Sequence, residues 1–266
     1  MSDAVYSPVA QGTPAMGGDP HFRYVLRLGD DNLVLAQRLG EWISRGPDLE
    51  DDIALGNIAL DHLGQARALL THAGTIEGRG RTEDDLAMYR NEREFTNLSI
   101  CEVPNGHFGD TMARALCIDA FQVLLWEGLS ASTDATLGGI AQKALKESKY
   151  HLRHSSTWVI RLGDGTEGSH RRMQDSMNRM WRFTGEMFQP DDVDLEMVDA
   201  GIGVDPSSLR ARWRTTIDDV LDRAGLTIPS DPFQRTGGRM GFHTDDLGHL
   251  LAEMQWLARS MPGAPW

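Results

Sequence analysis

Cysteine is nearly absent: Cys101 and Cys117 are the two in 266 residues. They form neither a CxxC pair nor a disulfide framework, which excludes a stapled secreted scaffold and fits a reducing cytoplasm. No stretch approaches the roughly 18 consecutive apolar residues of a membrane span. The opening "MSDAVYSPVAQGTPAMGGDP" lacks the basic start and apolar core of a secretory leader. The expectation is a cytoplasmic protein whose residues 1–20 form a flexible tail. Positive charge is scarce too, with 26 Lys+Arg against 39 Asp+Glu and a formal charge of -13. Nucleic acid and anionic membranes are thereby poor partners, while a more basic protein remains compatible. Runs with the two-residue alternation of half-buried strands are also lacking.

What the sequence does have is helical periodicity over a 40% hydrophobic composition, enough for a substantial core. Helices are predicted over 24–45, 49–73, 83–99, 108–131, 135–162, 167–188, 206–224 and 245–260. Their punctuation has local causes. Gly46-Pro47-Asp48 separates the first two, Asp110 and Thr111 can cap the fourth, and Gly163-Asp164-Gly165 stops the fifth. The acidic "DLEDD" suits a helix N-terminus through the helix dipole. The expected fold is all-α: one domain over 21–266, with a four-helix bundle core at about 24–162, a long crossover, and wrapping helices at about 167–260.

Each long helix carries polar residues in the middle of its apolar stripe. Asn32 falls among Val25, Leu28, Leu35 and Leu39, and His62 and Gln65 interrupt Leu55, Ile58 and Leu69. Asp119 interrupts Met112, Leu116, Val123 and Trp126, while Ser148, His151 and Ser155 share a face with Ala144 and Trp158. Such a layer is arranged like the metal site of a carboxylate-bridged di-iron bundle, where Glu and His three residues apart supply ligands. In "KESKYH", however, Glu147 has Tyr150 three residues on, and His151 has Ser148 three residues before. Asn32, His62, Gln65, Asp119, Ser148 and His151 together offer one carboxylate and two imidazoles, far too little negative charge for two buried iron ions. Asp61 and Glu147 point about 100° away from the stripes and are expected to pair with Lys or Arg at a helix–helix or subunit contact. The layer therefore reads as a degenerate di-iron site, rebuilt as a buried hydrogen-bond network in which His62 or His151 donates to Asp119. No catalytic, cofactor-binding or metal-ligating residue is expected in this chain.

Three other motifs have structural readings. "HRRMQ" at 170–174 reads as a solvated or partner-facing helix start whose arginines could also meet a phosphate. "TGGRMGFHT" at 236–244 could let backbone approach an anion, but it does not follow a strand and is no P-loop. Asn97-Leu98-Ser99 spells a glycosylation sequon that has no use without secretion.

The stretches "LRLGDDNLVLAQRLGEW", "DIALGNIALDHLGQARALL", "PNGHFGDTMAR", "KYHLRHSSTWVIRLGDGT", "RTGGRMGFHTDDLG" and "LAEMQWL" carry a family resemblance. From about Tyr24 to Trp266 the chain resembles the PaaC-type, non-catalytic subunits of bacterial ring 1,2-phenylacetyl-CoA epoxidases. The resemblance implies a ferritin-like fold and a homologous PaaA-type partner that holds the di-iron centre and binds the CoA thioester. It also implies a small accessory subunit and a reductase using NADPH, a flavin and an iron–sulfur cluster. Where the catalytic relatives have Glu-x-x-His in two bundle helices, this chain has His62-x-x-Gln65 and Ser148-x-x-His151. Asn32 stands for a ligand glutamate, and Asp119 and His151 look retained. The implied role is scaffolding within a cytoplasmic hetero-oligomer of phenylacetate catabolism, through the outer faces of 49–73 and 108–131. The competing expectations are an active di-iron oxygenase or ferroxidase, and a free-standing all-α adaptor.

Overall fold

The computed structural model describes residues 18–230 and 233–264. Most of the expected N-terminal tail lies outside the described residues. Ten α-helices and no strand occur among those described. In order they are α1 (Pro20–Gly40), α2 (Leu49–Glu77), α3 (Glu83–Met88), α4 (Ser99–Glu102), α5 (Phe108–Leu129), α6 (Ala135–Gly163), α7 (Glu167–Trp181), α8 (Asp192–Asp199), α9 (Pro206–Arg223) and α10 (Asp245–Ser260). Helix α1 packs along α2, α5 along α6, and α2 closes against α6. The short connections make each pair antiparallel, and the result is an all-α, ferritin-like bundle.

Helix α1 starts at Pro20, earlier than its periodicity predicts, because Pro20 occupies the first turn and the Asp19 side chain accepts from the His21 amide. It stops at Gly40 rather than 45, and Ser44 turns the chain with φ 67. Helix α5 is preceded by His107, whose amide donates to Asp110 Oδ2 at 3.1 Å. Asp110 thus caps from inside the first turn, completing a capping box with His107, which is the N-cap residue itself.

The helix expected over 83–99 is broken into α3, a 3-10 turn at Glu92–Glu94, and the start of α4. The cause is non-local. The amides of Thr96 and Leu98 donate to the side chains of Asp30 at 2.9 Å and Asp31 at 2.7 Å on α1, so they need no helical carbonyl. Helix α1 is consequently buried almost all round, and its charges are paired across the wrapping segments. Arg90 closes on Asp30, Arg239 meets Asp31 at 2.8 Å, and Arg27 meets Asp191 at 2.8 Å and Asp194 at 3.0 Å. Asp191 and Asp194 are the cap and first turn of α8, which periodicity misses entirely, as it misses all but the first residue of α4.

The "TGGRMGFHT" segment does bring backbone to an anion, but the anion is the protein's own. The amide of Gly238 donates to Glu186 Oε1 at 2.7 Å, and a Cβ at Gly238 would collide with the Asn97 carbonyl. His243 meets Glu102 at 2.7 Å. Asn97 is completely buried and donates to Glu102 Oε2 at 3.0 Å, so the folded chain cannot present the sequon. The HRRMQ stretch lies in the first half of α7, where Arg171 pairs with Glu167.

Candidate functional site

Four helices send polar side chains to one level of the core. Asn32 of α1, His62 and Gln65 of α2, Asp119 and Gln122 of α5, and Ser148, His151 and Ser155 of α6 are each at most 4% exposed. Asn32 Nδ2 donates to the Leu28 carbonyl at 2.8 Å, which turns its Oδ1 toward Gln122 Nε2 at 3.3 Å and His62 Nδ1 at 2.9 Å. An amide oxygen only accepts, so the His62 proton lies on Nδ1.

Asp119 Oδ2 accepts from Ser155 Oγ at 2.7 Å. Burial pushes the Asp119 carboxyl up to about 7, against the pull of Ser155 and Arg114. Burial also holds His62 well below its ordinary value, helped by His151 and Arg114. His151 is lowered by burial too, although Asp61 opposes the shift. Both imidazoles are therefore neutral at pH 7, and neither supplies the imidazolium a buried carboxylate would want. Among the described residues no hydrogen bond joins Asp119 to either ring; its donor is Ser155.

The remaining links run outward. His151 Nε2 lies 3.0 Å from Asp61 Oδ2, and Gln65 Nε2 donates to Glu147 Oε2 at 2.9 Å. Glu147 does pair with a lysine, Lys143 Nζ at 3.4 Å, but one turn away on its own helix rather than across a helix–helix contact. Asp61 does not: its partner is the neutral His151 ring, a hydrogen bond rather than an ion pair, because the α2–α6 contact brings that ring to it. The six positions singled out by the stripes thus share one layer but form separate links: Asn32–His62, Asp119–Ser155, His151–Asp61 and Gln65–Glu147. Ser148 Oγ and His151 Nδ1 have no protein partner. Gln122 and Ser155 complete the layer. Ser155 is visible on the α6 stripe, whereas Gln122 is a neighbour that only the fold identifies.

The ligand-capable atoms of His62, Asp119 and His151 lie within 4.8 Å of one another. That set does not fit a di-iron centre. It contains a single carboxylate, its remaining positions are neutral Asn32, Gln65 and Ser148, and Arg114 lies near enough to shift both Asp119 and His62. Two buried cations would be left without compensating charge.

A second feature is the solvent side of α2. Leu49, Ile53, Leu60 and Leu63 are between 42% and 70% exposed, and their spacing places them on one side of the helix. Ile43, in the turn before α2, and Tyr150 of α6 are exposed as well. The outer face of α5 is different: α7 and α9 cover it, and Cys117, Phe121 and Leu124 on that side are buried, while Met112 and Trp126 belong to the core stripe. Of the two faces expected to dock, α2 is open and α5 is not.

No helix among the described residues is long and apolar enough to cross a membrane. Residues 8–266 match the model of the family described as phenylacetic acid catabolic protein. Two components of the 1,2-phenylacetyl-CoA epoxidase of Escherichia coli K12 are similar to the chain. With the PaaC-type component it shares 50% identity over 243 residues, covering 91% of this chain and 98% of that protein. With the PaaA-type component it shares 24% identity over 232 residues, covering 82% of this chain and 69% of that protein. The chain therefore belongs to the phenylacetic acid catabolic protein family.

Proposed function

We propose that this chain is the structural, non-catalytic subunit of a 1,2-phenylacetyl-CoA epoxidase. It scaffolds a homologous catalytic subunit that holds the di-iron centre. The observation that carries this reading is the donor set of the core layer, where Asp119 is the one carboxylate among the six positions. The chemistry of the complex, insertion of one oxygen atom across the 1,2 positions of the ring, belongs to the partner's iron. Electrons come from a reductase carrying NADPH, flavin and iron–sulfur groups, and a small accessory subunit completes the assembly.

The apolar stripe of α2 is the face that fits the scaffold role. Leu49, Ile53, Leu60 and Leu63 are costly to leave in water, and obligate contacts commonly bury more than about 2,000 Å² around an apolar centre. Gly56 and Gly64 lie in the same stretch, with nothing within 4 Å of where a Cβ would stand, so another backbone can approach closely. The formal charge of -13 favours a more basic partner and faster encounter at low salt. Expressing the host's catalytic subunit with and without this chain tests the reading. The expected result is soluble, iron-loaded and active catalytic subunit only on co-expression; equal yield and activity without this chain would overturn it.

A further inference from the structure

At one end of the bundle, about 16 Å along α1 from Asn32, three helices contribute a second cluster. His21 lies in the first turn of α1, His72 near the end of α2, and Asp134 caps α6. Asp134 Oδ1 is committed to that cap, accepting from the amides of Thr136 at 2.9 Å and Leu137 at 3.0 Å. Its other oxygen, Oδ2, faces both imidazoles: His21 Nε2 at 2.8 Å and His72 Nε2 at 2.6 Å. The rings stand edge to face, with centroids 6.0 Å apart. All three ligand-capable atoms lie within 4.8 Å of one another.

We propose that His21, His72 and Asp134 form a binding site for one divalent transition ion of the zinc class, which clamps α1, α2 and α6 together at this end. Two imidazole nitrogens and one carboxylate oxygen are the donors such ions take, with water in the remaining position. Calcium and magnesium require more oxygen ligands than the cluster has. The cap bonds to Oδ1 orient the carboxylate in the way that outer hydrogen bonds orient metal ligands elsewhere.

The site is also accessible. The side chains of His21, His72 and Asp134 are 24%, 12% and 8% exposed, whereas His62, Asp119 and His151 are enclosed beside Arg114. Among the described residues no Lys or Arg pairs with Asp134. Binding exchanges two N–H···O hydrogen bonds for two metal–nitrogen bonds and one metal–oxygen bond, and each neutral ring then carries its proton on Nδ1.

Calorimetric titration of the full chain with ZnCl2, and Co2+ absorption as a reporter of coordination, test the proposal. The expected result is one ion per chain with a micromolar or tighter dissociation constant, and a raised thermal midpoint. His21→Gln and His72→Gln should each weaken binding by about tenfold or more, and Asp134→Asn should do so while still capping α6. His249→Gln, on the exposed face of α10, should leave binding unchanged. Absence of stoichiometric binding, or binding that survives His21→Gln and His72→Gln, would overturn the proposal.

Discussion

His62 Nδ1 lies 2.9 Å from Asn32 Oδ1, so an uncharged amide holds the imidazole where the family resemblance puts a ligand glutamate in the catalytic subunits. That one contact states the character of the whole layer. Its positions are kept and buried, but one carboxyl group, Asp119, remains; most of its polar groups bond to one another or to the rim, while Ser148 Oγ and His151 Nδ1 have no protein partner.

The isolated chain should therefore form no di-iron centre. After anaerobic loading with Fe(II), exposure to air and desalting, Mössbauer spectra should show no antiferromagnetically coupled iron pair. Detection of such a pair would overturn the assignment of the layer as a degenerate site.

Asp119 sets a pH dependence. Its carboxyl is raised from an ordinary 3.8 to about 7, so between those values the folded chain keeps a proton that the unfolded chain loses. The stability tied to this group is complete at low pH and is lost as pH rises through about 7. Asp119→Asn keeps an acceptor for Ser155 and cannot ionise. From pH 4 to pH 8 its stability relative to wild type should rise by roughly 1–4 kcal/mol, measured by urea unfolding. A difference that stays constant over that range contradicts the assignment.

Wrapping of α1 depends on a buried ion pair. Arg239 donates to both oxygens of Asp31, at 3.0 and 2.8 Å, and to the Thr96 carbonyl at 2.8 Å. Asp31 in turn holds the guanidinium firmly charged, overcoming the opposing push of burial. Arg239→Met should cost about 3–5 kcal/mol by stranding Asp31, and adding Asp31→Asn should recover part of that loss. Strictly additive effects in the double-mutant cycle would show that the pair does not clamp the C-terminal segment to α1.

Much of this architecture is legible in the amino-acid order, for identifiable reasons. Helix α10 occupies Asp245–Ser260 as expected, with Asp245 and Asp246 in its first turn. The polar layer is legible because Asn32, His62, Gln65, Asp119, Ser148 and His151 each break an apolar stripe at helical spacing. The break within 83–99 is not, because the acceptors for Thr96 and Leu98 are aspartates more than sixty residues away, which no local pattern contains. The partners within the layer escape for the same reason: Ser155 to Asp119 and His151 to Asp61 are choices made by the packing of α5 and α2 against α6. Coverage of α5 by α7 and α9 is likewise a tertiary fact, and it leaves α2 as the available face.

That face gives the most direct test of the scaffold role. Leu60→Asp/Leu63→Asp alters two exposed side chains and should change the stability of the isolated chain by no more than about 0.5 kcal/mol per site. Size-exclusion chromatography with light scattering, run on mixtures with the host's catalytic subunit at micromolar concentration, reads the consequence. The wild-type chain should co-elute with the catalytic subunit in a defined complex, and the double variant should elute apart. Failure of the wild-type chain to co-elute, or co-elution undisturbed by the two aspartates, would contradict the account.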